Sequence, residues 1–285
     1  MKAIIKNNYL LRKGTLKGSV NFLGIDFSCF KVISYYMFCG IMLIISEVMM
    51  KEKENQFLEN LKNHNLELNE QQKQQFKIYA EMLIEWNQKM NLTAIANKED
   101  IYEKHFLDCI LMSYAIDMEG SLCDVGSGAG FPSIPLKIVY PKLKVWIVEP
   151  LQKRCTFLNA LVNALGLQDV TIVNARAEDY IKEKREFYDI VSARAVANLT
   201  MLAELCIPFV RREGVFVAMK GPNIDSELED ARGALKVLGG VVESVDFQDL
   251  NTQIRNNLVI RKIGTTPKKY PRAFGQIKKN PLRSM

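Results

Sequence analysis

Gly126, Gly128 and Gly130 stand at alternate positions directly after the apolar run Leu122–Val125, and Phe131-Pro132 carries the chain on toward a helix. Glycines at that spacing bring bare main chain close to a ligand, because a Cβ there would block the approach or the dihedrals it needs. Glu149 ends the next apolar run, 23 residues after Gly126, where an acidic side chain accepts hydrogen bonds from both hydroxyls of a ribose. Ala177 and Glu178 follow a third run, with a small residue and main-chain amides suited to a flat adenine ring, and Arg194 follows a fourth. Each of these alone reads as a surface loop residue. Their shared position at the ends of consecutive strands reads as one binding site.

The spacing also narrows the ligand. A dinucleotide fingerprint, G-x-G-x-x-G, needs a third glycine where Phe131 stands, and the Gly-Lys-Ser/Thr ending of a P-loop is absent. What is present, from Asp124 to Gly130, is D-x-G-x-G-x-G, which resembles the first motif of the S-adenosylmethionine-dependent methyltransferases. That ligand has an adenosine and an amino-acid tail but no phosphate, so the loop can be tighter.

The elements that must hold these residues follow from periodicity. Asn69 caps a helix opening at Glu70, with Phe76, Tyr79, Leu83, Trp86 and Met90 on one face and an end near Asn91-Leu92-Thr93. A second helix starts after Asn97, with Glu99 and Asp100 in its first turn, and carries Ile101, His105, Ile110 and Leu111. His105 and Asp108 fall one turn apart on it and could pair across the helix face, but a packed histidine with a local partner is the favoured reading. Strands are expected at Leu122–Val125, Val145–Val148, Val170–Val173, Ile190–Ser192, Val215–Ala218, Val241–Val245 and Leu258–Arg261. Helices fit at Ile134–Val139, Lys153–Leu165, Leu199–Pro208 and Ile224–Leu238. The expectation is an α/β fold with a seven-stranded, Rossmann-like sheet of the class I methyltransferase kind, mostly parallel. An antiparallel hairpin closes its edge, and an N-terminal helical segment precedes it. In domain terms, residues 1–50 are expected to be an atypical extension, 51–116 the N-terminal helical segment, and 117–285 an S-adenosylmethionine-binding, methyltransferase-like domain with a basic C-terminal tail.

Composition excludes several classes. The chain has 285 residues, 48% hydrophobic and 25% charged, which suits one or two ordinary globular domains. Six cysteines (Cys29, Cys39, Cys109, Cys123, Cys155, Cys206) form no C-x-x-C pair, and His64 and His105 are the only histidines. They read as reduced, intracellular thiols in a cytoplasmic protein without a bound metal. Cys155 beside Lys153 and Arg154 reads as a buried thiol. Residues 251–285 hold nine Lys or Arg and no acid, while 51–250 hold 23 basic and 30 acidic residues. A cationic end on an acidic body suits a polyanion such as RNA, and equally a solvated tail. Arg272, Lys278 and Lys279 are the expected phosphate contacts. The apolar run Val32–Ser46 is shorter than the ~18 residues of a membrane span, so no membrane is expected. The abrupt change into Lys51-Glu52-Lys53-Glu54 favours a true start at Met49 or Met50.

A wider set of motifs is collinear over residues 51–285: Trp86-Asn87, Met90-Asn91-Leu92-Thr93, His105-Phe106-Leu107-Asp108, Asp124–Pro135, Leu151-Gln152-Lys153-Arg154, Ala175-Arg176-Ala177-Glu178, Ser192–Val196, Met219-Lys220-Gly221 and Lys278–Leu282. Together they resemble the bacterial small-subunit rRNA guanine-N7 methyltransferases of the RsmG (GidB) type. Ser133, where that family has glycine, is a departure small enough to keep the turn. The resemblance implies cofactor contacts at Gly126, Phe131, Ala177, Glu178 and Arg194, with Arg194 facing both cofactor and RNA. It also implies 16S rRNA or the 30S subunit as partner. Methylation at N7 needs no base, since a lone pair attacks in line, and Asp124 or Glu178 would ease the cationic product if they face it. A non-catalytic RNA-binding or assembly factor on the same sheet is the alternative. A nicotinamide-dependent oxidoreductase is disfavoured by Phe131 and by the lack of a His or Tyr proton relay at a strand end.

Overall fold

The computed structural model describes residues 51–93, 98–194, 197–249 and 254–282. The expected upstream extension, residues 1–50, lies outside them. Lys53–Met285 forms one compact unit.

A helix over 51–63 (α1) leads to α2, Glu70–Met90. Asn69 caps α2 reciprocally: its side chain accepts the Gln72 N–H, and the Gln72 side chain accepts the Asn69 N–H, each at 2.9 Å. Phe76, Tyr79, Ala80 and Leu83 form its buried stripe, and it stops at Asn91 in the left-handed conformation, φ 48°. The next helix, α3, runs over Lys98–Ile101, widens into a π-helical turn at Tyr102–Leu107, and resumes over Asp108–Leu111. Inserted turns of that kind recur where a helix must re-aim side chains.

Seven strands follow: β1 (Ser121–Val125), β2 (Lys144–Val148), β3 (Val170–Val173), β4 (Tyr188–Arg194), β5 (Val210–Lys220), β6 (Gly240–Asp249) and β7 (Ile254–Lys262). Their order is β3-β2-β1-β4-β5-β7-β6. The first five are parallel, and β7 lies antiparallel between β5 and β6. The expected edge hairpin is therefore present, with its second strand inserted next to β5.

Helices α4 (Ser133–Val139), α5 (Gln152–Ala164), α6 (Ala177–Lys184), α7 (Leu199–Cys206), α8 (Ile224–Leu238) and α9 (Phe274–Lys279) complete the unit. Right-handed crossovers leave β1 in opposite directions, so α4 and α5 cover one face of the sheet, and α6 and α7 the other. Helix α2 packs on α4 and α5, and α8 on α7. Strand residues such as Leu122, Val145, Ile147, Val191, Phe216 and Val217 are fully enclosed between these layers, each stabilising the fold by roughly 1.5–3 kcal/mol. Strand order reverses at β1 and β4, and the carboxyl ends there form the crevice where such sheets bind ligands.

Candidate functional site

The loop after β1 is built to keep its main chain bare. Gly126, Gly128 and Gly130 take φ of 75°, 63° and 100°, values open to glycine at little cost. They serve different ends. A Cβ on Gly130 would come within 2.8 Å of Ile134, 2.9 Å of the Tyr79 hydroxyl and 3.1 Å of Leu158, so this glycine lets α2, α4 and α5 close on the loop. A Cβ on Gly128 would meet nothing within 4 Å, so its bare face looks into open space. Beside it, Ser127 is 4% exposed and its Oγ has no hydrogen-bond partner among the described residues.

Glu149, just past β2, holds this loop. Its carboxylate accepts the Gly128 N–H at 3.1 Å on Oε2 and the Leu151 N–H at 3.0 Å on Oε1, with Arg154 at 3.6 Å. One hydrogen bond on each oxygen leaves a second lone pair on each. Asp124, by contrast, is sealed: it is fully buried, accepting the Ser133 N–H and the Ser192 hydroxyl, each at 3.2 Å. It ties β1 to β4 and to the start of α4. Burial pushes its carboxyl up to about 7, against the pull of the Ser133 and Ser192 hydrogen bonds. Ala177 and Glu178 follow β3 as expected and open α6, with Ala177 buried and the Glu178 carboxylate accepting the Phe274 N–H at 3.2 Å. Burial likewise raises the Cys155 thiol, which donates to the Glu149 carbonyl at 3.2 Å, in keeping with a buried structural role.

Phe131 ends the loop inside an aromatic stack. The His105 ring lies parallel to it at 4.3 Å, Tyr79 at 5.5 Å on a near-parallel plane, and the Arg194 guanidinium 5.4 Å from its centre. His105 is packed, 6% exposed, but it does not pair with Asp108. The widened turn of α3 sends His105 to Thr93 Oγ1 at 3.0 Å and to Arg194 at 3.1 Å instead. Because arginine only donates, Nδ1 is the acceptor and the proton sits on Nε2. Burial and then the Arg194 charge bring its pKa down to about 3, so the ring is neutral and both nitrogens are engaged.

Asp108 pairs with two arginines from the sheet. Its Oδ2 lies 2.8 Å from Arg194 and its Oδ1 3.1 Å from Arg255, on a side chain 1% exposed. Arg194 also donates to the Lys104 carbonyl at 2.7 Å. The buried carboxylate thus holds one guanidinium on each oxygen. Next to it, at the carboxyl ends of β4 and β5, a cleft of about 380 Å³ is lined by Asp108, Arg194, Met219, Lys220, Glu227 and Arg255, among others.

The three basic residues expected at phosphates part company. Arg272 is locked on Glu204, a residue 0% exposed, through its Nε at 2.8 Å, its Nη2 at 2.6 Å and its main-chain N–H at 2.9 Å. Lys278 and Lys279 are exposed at the end of α9. Among the described residues no group of three His, Cys, Asp or Glu is placed to hold a metal ion, and no helix is long and apolar enough to cross a membrane.

A family description fits this arrangement of loop, clamp and cleft. The sequence model for "GidB: rRNA small subunit methyltransferase G" matches residues 72–258. The chain belongs to the rRNA small subunit methyltransferase G family. It is 52% identical over 232 residues to ribosomal RNA small subunit methyltransferase G of Staphylococcus carnosus (strain TM300), covering 79% of this chain and 97% of that protein. To the protein of the same name from Oceanobacillus iheyensis it is 49% identical over 236 residues, 81% of this chain and 99% of the relative. Among solved structures, M. jannaschii TYW2 in complex with AdoMet shares 15% identity at a TM-score of 0.45, over 55% of this chain and 75% of that one.

For a member of the rRNA small subunit methyltransferase G family, sequence reasoning left out four residues that shape the site: Tyr79 as a ligand of the loop, Lys220 and Glu227 as a cleft pair, and Arg255 on Asp108. Tyr79 carried only the signal of a helix stripe. The other three find their partners through the tertiary fold, which spacing along the chain does not reveal.

Proposed function

We propose that this chain transfers a methyl group from S-adenosylmethionine to N7 of a guanine in 16S rRNA of the small ribosomal subunit, in the cytoplasm. The observation that carries the reading is the position of two unlike surfaces on either side of the strand-order reversal: the bare Gly128 face clamped by Glu149 beyond β1 and β2, and the charged cleft beyond β4 and β5.

The residues fit the cofactor. Gly126 and Gly128 offer bare main chain and Ser127 a hydroxyl without a partner among the described residues, while the spare lone pairs of Glu149 suit two ribose hydroxyls. Gly130 and Phe131 shape the same loop from within, and Ala177 and Glu178 bound the adenine side at the start of α6. When bound, S-adenosylmethionine supplies a methyl group on a positively charged sulfur.

The chain's own part is orientation. Guanine N7 has a free lone pair and no proton, so no base is needed; His105 has both nitrogens engaged and Asp124 is sealed. Holding acceptor, carbon and sulfur in line contributes roughly 7 to 11 kcal/mol in well-oriented systems. Arg194 positions through Phe131 and Asp108, and the basic side chains that line the cleft, Arg194, Lys220 and Arg255, suit an incoming phosphate backbone. The base must leave its stack to enter the cleft.

The test is incubation of the whole chain with labelled S-adenosylmethionine and either 16S rRNA or 30S subunits, followed by mapping of the modified base. Label at N7 of one guanine is the expected result. Label on protein, on DNA or on another atom overturns the reading.

A further inference from the structure

The following rests on the guanine reading above and concerns what recognises the base. Lys220 ends β5, the chain turns at Gly221 into α8, and Glu227 comes back to meet Lys220 at 2.6 Å; both line the cleft. Lys220 is 8% exposed, and its ammonium donates to the Ala197 carbonyl at 2.8 Å and to Glu227 Oε2, which leaves a third N–H. Glu227 Oε2 also accepts the Leu199 N–H at 2.8 Å. Its other oxygen, Oε1, has no hydrogen-bond partner among the described residues, on a side chain 31% exposed.

The pair is thus held rigidly on one side by two main-chain groups and presents a donor beside an ionised acceptor on the other. Guanine's Watson–Crick edge is the complement, with O6 as acceptor beside N1–H and the 2-amino group as donors. We propose that Lys220 and Glu227 read the base: Lys220 donates to O6, and Glu227 Oε1 accepts from N1–H and the 2-amino group. Adenine, with an amino group in place of O6 and a lone pair at N1, sets donor against donor and acceptor against acceptor. Methylation at N7 makes the ring cationic and its N–H groups stronger donors, so the bonds to Glu227 tighten in the transition state, and the effect belongs to kcat.

The experiment uses the whole chain and small-subunit RNA carrying guanosine, inosine or 7-deazaguanosine at the mapped position. Inosine lacks only the 2-amino group. Wild-type kcat is expected to fall at least about tenfold on inosine, the worth of one hydrogen bond to a charged acceptor. In Glu227→Gln the guanosine–inosine gap shrinks to within about twofold, because the partner of the 2-amino group is gone. Binding of S-adenosylhomocysteine by calorimetry stays at the wild-type value. Equal wild-type rates on guanosine and inosine overturn the inference without any variant, as does an undiminished gap in Glu227→Gln. Methylation of the 7-deazaguanosine RNA brings down the N7 reading itself and this inference with it.

Discussion

The Tyr79 hydroxyl donates to the Ala129 carbonyl at 2.6 Å, a bond that joins helix α2 to the glycine loop across 50 residues of sequence. Both groups are buried, so neither has water as a substitute. Tyr79→Phe keeps the ring against Phe131 and Phe106 and removes the bond alone. It is expected to cost about 1–3 kcal/mol in a urea titration, the penalty for stranding a buried carbonyl. It should also weaken S-adenosylhomocysteine binding. Unchanged stability and affinity would mean that α2 does not steady the loop.

Gly128 and Gly166 make a matched pair. Both have φ +63°, and neither has an atom within 4 Å of where a Cβ would stand, but Gly166 follows α5, away from the loop. Valine at either place pays a similar backbone strain, of order 1–3 kcal/mol. Gly128→Val alone should lose affinity for S-adenosylhomocysteine in calorimetry. Equal loss in both variants would show that the Gly128 face is not a binding surface.

Asp124 and His105 titrate in opposite senses. The Asp124 carboxyl is raised from its ordinary 3.8 to about 7, so the folded chain holds a proton that the unfolded chain has released, and stability present below pH 3.8 is lost as pH rises to 7. His105 is lowered from 6.5 to about 3, so the stability it contributes is present above pH 6.5 and lost as pH falls toward 3. Over the shared window the two slopes oppose each other, each at most about 1.4 kcal/mol per pH unit. Asp124→Asn should therefore gain stability relative to wild type as pH rises from 4 to 7 in denaturant titrations. A constant difference between the two proteins across that range would contradict the buried-acid assignment.

Arg272 and the lysines of α9 should separate stability from RNA binding. Arg272→Ala leaves the buried Glu204 without its ion-pair partner and with only the main-chain N–H of residue 272, a loss of about 3–5 kcal/mol. Lys278→Ala and Lys279→Ala leave stability within about 0.5 kcal/mol. Each lysine that touches a phosphate should lower the slope of log affinity against log salt by about 1. Salt slopes from filter binding and thermal melts of the three variants decide which basic residues serve the RNA.

Much of this was legible in the chain itself. All seven strands fall where apolar runs and turn residues placed them, because each strand is written in contiguous residues, the buried parallel ones as near-continuous apolar runs. The antiparallel edge followed from a connection too short for a helix. The Asn69 cap and the loop glycines are likewise local. Helix α6 was missed, since Ala177–Lys184 is short and charged and its start has no side-chain cap. Glu149 was expected to serve a ribose; that it also clamps Gly128 depends on β1 and β2 lying side by side. His105 and Asp108 do not pair because a π turn changes the angular spacing of side chains, and because a stronger partner, Arg194, arrives 89 residues later. Partners that meet only after the sheet is assembled leave no periodic trace.

The bond network around Arg194 has a bearing on how far the catalytic half can be treated as a separate piece. Its guanidinium finds the Lys104 carbonyl, the His105 ring and the Asp108 carboxylate all on α3, and Phe131 finds His105 and Tyr79 on two different helices. Cut free at residue 117, the sheet would carry a desolvated cation without its counter-ion and a wet aromatic face beside the cofactor loop. Grafting this sheet into another protein, or trimming the enzyme to a minimal version, succeeds only if those two helices travel with it.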